Sequence, residues 1–215
     1  MSRAALVVGA GSPAEPIGAG LADRGWTVHR LDDEPITDTT PLPEDALDLV
    51  VHARYPGPCR KPVSVADLTA DAWHAAADEP LESAIRLARI THPALAAGGG
   101  TMVFVVPLMA TAGGEGFTPF ATAAEGARLL AKSLAKTWGA DGIRAHAVTL
   151  DPSAFLAPAD AAGIAEANAL HDPPLGRVPE LEAEVAAVID ALSRDDLGVL
   201  TGASLVVDGG LWMPG

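Results

Sequence analysis

Three side chains capable of chemistry, His52, Arg54 and Tyr55, stand within four residues. An imidazole, a guanidinium and a phenol so spaced could supply a base, a clamp for an anion and a hydrogen-bond donor. The stretch His52-Ala53-Arg54-Tyr55-Pro56-Gly57-Pro58 also has a bland reading, in which His52 bonds neighbouring backbone while Arg54 and Tyr55 cover an edge of the fold. A second candidate is the run Gly9-Ala10-Gly11-Ser12-Pro13-Ala14-Glu15-Pro16-Ile17-Gly18. Glycines ahead of a helix let backbone N–H groups cradle a pyrophosphate, which makes Gly9, Gly11 and Gly18 the candidate cofactor-binding positions. Against that chemistry, Pro13 and Pro16 remove two donors, and Glu15 puts a negative charge where a phosphate would sit.

The remaining reactive residues carry less. Cys59 lies beside Arg60, which could lower its pKa, or it is a bystander thiol. His29 and His146 fall inside strand patterns and read as core or surface histidines, while His74, His92 and His171 have no partner at metal spacing. One cysteine and no His-x-x-x-His pair predict no metal site.

The elements that must position these residues follow an α/β pattern. Ala4 to Val8 is a short apolar run, followed by the glycine turn, a helix from Ile17 to Arg24 capped by Gly25, and a second run, Thr27 to Leu31. That is the opening of a parallel βαβ unit. Leu47 to Val51, Thr101 to Val106, Arg144 to Leu150 and Ser204 to Val207 read as further strands. Ala66 to Ala97 reads as helical, kinked or divided at Pro80 and Pro93. Phe120 to Trp138 is the longest clean helix, and Ala123, Ala127, Ala131 and Ala135 would allow a partner subunit to approach it closely. Residues 151–178 read as irregular, and a helix starts near Pro179-Glu180. One Rossmann-like, doubly wound domain over residues 1–215 accounts for the whole chain.

Composition narrows the function. With 14 basic against 28 acidic side chains among 215 residues, the net charge of -14 repels nucleic acid and anionic lipid surfaces, so neither is expected as a partner. At 49% hydrophobic, the chain can bury a sizeable core. The longest apolar stretch, Thr101 to Ala112, is cut by Pro107 and falls short of the roughly 20 residues that span a bilayer. A single cysteine and the absence of an apolar signal run in MSRAALVVGAG lead us to expect a cytoplasmic protein.

The order of elements, GIRAHAVTLDP and the ending TGASLVVDGGLWMPG together resemble the short-chain dehydrogenase/reductase family over essentially the full length. The most specific match is Thr201, Gly202, Val207, Asp208, Gly209 and Gly210, which fit the family's Thr-Gly and Val-Asp-Gly-Gly pattern around the last strand. The resemblance implies hydride transfer with NAD(P), assisted by a tyrosine, a lysine four residues later, a serine and an asparagine. At those positions this chain has Phe120, Ala124, Pro107 and, at or near the asparagine, Pro80. The only tyrosine is Tyr55, so no small shift of alignment restores a Tyr-x-x-x-Lys pair. The His52 to Pro58 stretch takes the place of the family's Asn-Asn-Ala-Gly turn.

Asp32 ends the second strand, where NAD-type members hold the adenine ribose; alternatively Asp32-Asp33-Glu34 is a solvated acidic turn. Asp151 stands where the family's Pro-Gly turn borders the nicotinamide and adds a carboxylate there. The segment 32–47 contains Pro35, Pro41 and Pro43 and is too short for the helix, third strand and further helix that the family fits in. A shortened sheet without that strand is therefore expected. These departures predict no bound cofactor, NAD(H) being the one that would apply. They lead to a non-catalytic subunit that pairs with itself or an active family member through the Phe120 to Trp138 helix and the C-terminal tail, with Trp212 and Met213. Two alternatives stay open: a non-redox enzyme or small-ligand binder in the pocket of His52, Arg54, Tyr55, Phe120 and Asp151, and an atypical NAD(P)-dependent oxidoreductase.

Overall fold

The computed structural model describes residues 3–213; the last two residues of the C-terminal tail, Pro214 and Gly215, lie outside the described residues. Six strands, β1 (Arg3–Val8), β2 (Trp26–Leu31), β3 (Leu49–His52), β4 (Thr101–Pro107), β5 (Arg144–Leu150) and β6 (Ser204–Val206), form one parallel sheet in the order β2-β1-β3-β4-β5-β6. β3, β4 and β5 are buried at every position, as parallel strands covered on both faces must be, and so read as continuous apolar runs. β2 and β6 are the edges and carry exposed residues.

The main helices are α1 (Ala14–Asp23), α2 (Glu79–Ala96), α3 (Thr118–Trp138), α4 (Pro158–Ala167) and α5 (Ala186–Leu192). α1 packs against α5 and the turn Leu181–Val185 that leads into it; α2 packs against α3, which lies on β4 and β5. Gly25, at φ +84°, turns the chain out of α1 into β2, a conformation that glycine adopts without a Cβ penalty.

Register places the candidate residues. Val8 is level with both Leu31 and His52, so the loops after β1, β2 and β3 leave the sheet from one height. Strand order reverses between β2-β1 and β3, and the crevice outside β1 and β3 is where open α/β sheets take ligands.

Four expectations change. The sheet is not cut short: six strands pair without a gap because β1 bonds β2 on one side and β3 on the other. Residues 32–48 cross between those strands with no strand or helix of their own. The stretch 151–178 is not wholly irregular, since α4 occupies part of it. Ala123, Ala127, Ala131 and Ala135 are not a free stripe for a partner: all four are buried within the chain, where small side chains let α3 lie close to β4 and β5. The outer face of α3 instead shows Leu129, Lys132, Ser133 and Lys136. Of the two prolines expected to kink or divide the helical stretch, Pro80 stands at the boundary where the wider turn at His74–Asp78 gives way to α2, whereas Pro93 does not divide it, since α2 continues to Ala96.

Candidate functional site

The loop after β1 is built on close backbone contact. A Cβ on Gly9, whose φ is +134°, would stand 2.8 Å from the Ala53 carbonyl oxygen, so only glycine lets the β1 and β3 loops meet there. The Ala10 N–H donates to the Asp33 carboxylate at 3.0 Å, and Arg30 donates to the Gly9 carbonyl at 3.1 Å. Gly11, at φ +62°, has open space around its Cα, while Gly18 is buried in α1 beside Val28 and Arg30 of β2. Ser12 Oγ crosses to the β5 loop and donates to the Ala154 carbonyl at 2.6 Å. Glu15 is exposed in the first turn of α1, 3.5 Å from Arg30.

Asp32 and Asp33 divide differently from the sequence reading. Asp32 is solvent-exposed, 3.9 Å from Arg30, whereas its neighbour turns in to the glycine loop. The alternation of side chains at the end of a strand decides this, and nothing in residue type distinguishes the two carboxylates.

His52, Arg54 and Tyr55 are all buried. Among the described residues, nothing stands at hydrogen-bonding geometry to either ring nitrogen of His52 or to the hydroxyl of Tyr55. Burial, with the Arg54 cation second, pushes the His52 imidazole down to about 3; burial raises the Tyr55 phenol well above its ordinary value. The Arg54 guanidinium is 1% exposed. Its Nε and Nη2 donate to the Asp33 carbonyl at 3.0 and 2.7 Å, and its Nη1 lies 3.0 and 3.2 Å from the two carboxylate oxygens of Glu79 at the start of α2.

Around Tyr55 the rings close on one another. Its centroid is 4.8 Å from that of Phe120 and 5.8 Å from that of Phe155, and those two phenylalanines are 6.0 Å apart. His52 adds an edge contact to Tyr55 and a tilted one to Phe104, each at 5.7 Å. Phe120 and Ala124 are buried on α3, Pro107 is buried at the end of β4, and Pro80 is buried in α2. Phe104 in β4 and Phe155, just beyond the turn that Pro152 opens, are the members of this cluster that residue type and spacing do not single out.

Asp151 is also turned inward. Its carboxylate accepts from the N–H and hydroxyl of Ser153, capping the turn Pro152–Ala154. Cys59 is buried, and burial raises its thiol to about 12, overriding the cations of Arg54 and Arg60. The lowered pKa that Arg60 suggested is therefore corrected. At the C-terminal end Asp208 is buried and accepts from the N–H groups of Gly210, Leu211 and Trp212, which fixes the turn after β6. Among the described residues no three His, Cys, Asp or Glu side chains converge as metal ligands, and no helix is long and apolar enough to cross a membrane.

The family model described as enoyl-(acyl carrier protein) reductase matches residues 42–212. The chain is 32% identical over 160 residues to a tropinone reductase homologue of Arabidopsis thaliana, covering 69% of this chain and 56% of that one. It is 31% identical over 147 residues to cyclohexanol dehydrogenase of Acinetobacter sp., covering 68% and 57%. The chain thus spans about half the length of the curated relatives it matches. Among solved structures, the TT0495 protein of Thermus thermophilus superposes with a TM-score of 0.76 at 24% identity, covering 98% of this chain and 99% of that one, a likeness of fold.

Proposed function

The chain belongs to the short-chain dehydrogenase/reductase family, and from that premise we propose that it is a non-catalytic member, a structural or regulatory subunit of an oligomer. The observation that supports the reading is the ring cluster of Tyr55, Phe120 and Phe155, which includes Phe120, the residue that the resemblance sets at the family's tyrosine. Phe120 has no hydroxyl, and Ala124 has no amine. Burial lowers the pKa of His52 and raises that of Tyr55, the two titratable groups nearest by, so both are held in their neutral forms near pH 7. General acid–base assistance is worth about 10²- to 10⁴-fold in rate, and no side chain of this cluster supplies it.

The residues present do not fit the nicotinamide dinucleotide that the family implies. The Ala10 N–H that would face a phosphate is taken by Asp33. Pro13 and Pro16 bring no N–H to the opening of α1, and Glu15 brings a negative charge. The Ser12 bond to Ala154 and the contact of Gly9 with Ala53 run across the crevice itself.

For assembly, the reading rests on the outer face of α2 and α3. Ile85 and Leu129 are large apolar side chains about half exposed there, at 48% and 50%. Beside Ile85 an apolar groove of about 320 Å³ runs between the helices, lined by His92, Pro93, Leu130, Leu134 and Trp138. Apolar side chains left half in water are an argument for a covering partner, and we take that partner to be a second copy or an active family member. Met213 of the tail, 73% exposed, is a second apolar contact of this kind.

The test is size-exclusion chromatography with light scattering, plus a titration with NADH read by tryptophan quenching. An oligomer of the 21.8 kDa chain, or a complex with a co-expressed dehydrogenase, is expected, together with no saturable NADH binding. Leu129→Glu with Ile85→Glu should yield monomers. Micromolar NADH binding, or a monomer under all conditions, would overturn the proposal. A small-ligand binder has one observation on its side, the unpartnered polar atoms of His52 and Tyr55; native mass spectrometry showing a retained small molecule would favour it.

A further inference from the structure

We infer that the crevice outside β1, β2 and β3 is self-occupied, with the Arg54 guanidinium holding together the loops between which a family member would lay its dinucleotide. This rests on the reading above, in that it takes the crevice to be free of coenzyme, and it goes further by naming what stands in the coenzyme's place.

The contacts form one chain. Ala10 of the β1 loop donates to the Asp33 carboxylate of the β2 loop. The Asp33 carbonyl accepts two N–H groups of Arg54 from the β3 loop, at 3.0 and 2.7 Å. The far side of the same guanidinium reaches Glu79 of α2. The guanidinium thereby ties the β2 and β3 loops to α2 through donors on both edges, which a lysine's point charge could not reproduce, and the Asp33 carboxylate extends the tie to the β1 loop.

Two lesser ties lie on either side. Arg30 donates to Gly9. Arg60 donates to the Tyr55 carbonyl at 3.1 Å and to the Ser12 carbonyl at 3.1 Å, drawing the β3 loop onto the β1 loop. An ordinary surface ion pair would be exposed and weak; Arg54 is buried, and it is buried at the point where strand order reverses. A carboxylate on a glycine-loop N–H and a cation beside it are the chemistry of a bound anion and its clamp, here supplied from within the chain.

Amide hydrogen exchange tests this in the full chain. Three variants are compared with the unaltered protein: Arg54→Lys, Arg54→Ala, and the double change Arg54→Met with Glu79→Gln. The double variant leaves no unpaired buried charge and so guards against simple unfolding. The expected result is exchange about tenfold faster or more at Ala10 in the double variant, with a smaller effect in Arg54→Lys and no change in β4 and β5. In Arg54→Ala, millimolar guanidinium should restore protection at Ala10, and equimolar sodium should not. Unchanged protection at Ala10 in the double variant overturns the inference while leaving the non-catalytic reading intact. Saturable NADH binding by the unaltered protein overturns both. A monomer under all conditions would overturn the subunit reading alone.

Discussion

The most demanding prediction concerns His52 and acid. Its imidazole is fully enclosed by Tyr55, Phe104 and the sheet, and it stays neutral in the folded protein down to about pH 3, whereas in the unfolded chain it titrates near 6.5. Because the folded pKa is depressed, His52 contributes stability that is fully present above pH 6.5 and is lost as pH falls toward 3. By pH 5 the unfolded state has gained a proton that the folded state refuses, which costs about 2 kcal/mol; by pH 3 the loss is on the order of 4 kcal/mol. His52→Leu removes this group and puts an apolar side chain of similar size in an apolar place. The assay is urea unfolding followed by tryptophan fluorescence at about pH 8 and about pH 5 for both proteins, and the unaltered protein should lose about 2 kcal/mol more than the variant between those conditions. His146 is also buried and is held down to about 4, again chiefly by burial, so it contributes acid sensitivity to both proteins and cancels in the comparison. Equal losses in the two proteins, or a His52 resonance that titrates near its ordinary value, would refute the reasoning.

The same packing sets three other expected outcomes. A Cβ on Gly20 would meet the Glu182 carbonyl oxygen at 2.0 Å and the Ala186 Cβ at 2.7 Å, so Gly20→Ala should force α1 off the turn before α5. The expected cost is about 3 kcal/mol, read as a fall in Tm of several degrees. Rebuilding the family pair with Phe120→Tyr and Ala124→Lys should give no nicotinamide-dependent activity by absorbance, and should destabilise the fold, because Ala124 is wholly enclosed and a lysine there would bury an unpaired ammonium. Cys59 should resist thiol reagents at mildly alkaline pH in the folded protein and react quantitatively in denaturant, since it is both covered and held far above its ordinary pKa.

Much of the fold was legible because its strands are buried on both faces. β5 runs from Arg144 to Leu150 as its apolar run does, and β1, β2 and β4 differ from their runs by a residue at one end. β3 begins later than expected, at Leu49, because the Leu47 N–H turns to the Ala94 carbonyl of α2 and the Asp48 carboxylate takes the Ala4 N–H, although the Asp48 backbone still bonds Ala4 and Thr101. α4 was not legible: it opens on Pro158 and contains only alanine, glycine, acidic residues and a single isoleucine beyond that, and its buried side chains, Ala161 and Ile164, are too few to make a periodic stripe. The Phe120 to Trp138 helix is plain in the sequence, but which of its faces lies inside is not. A stripe of alanines permits close approach without saying what approaches, and here it is the chain's own sheet.

The site was legible as a set of residues and illegible as a set of partners. His52, Arg54 and Tyr55 do lie at the carboxyl end of a central strand, as the βαβ pattern requires. Their chemistry depends on what surrounds them, and that is supplied from far along the chain: Asp33 and Glu79 for Arg54, Phe104 for His52, Phe120 and Phe155 for Tyr55. A guanidinium in such a crevice can either wait for an anion or serve as a fastener, and the two uses differ in exposure alone. An arginine that waits must keep its donors turned to solvent, where a ligand can reach them. Arg54 has already placed its donors on a carbonyl and a carboxylate of its own chain, so an incoming anion would have to break those bonds before forming its own. That competition favours the intramolecular partners, which are held at the site without the translational entropy that a free ligand must lose.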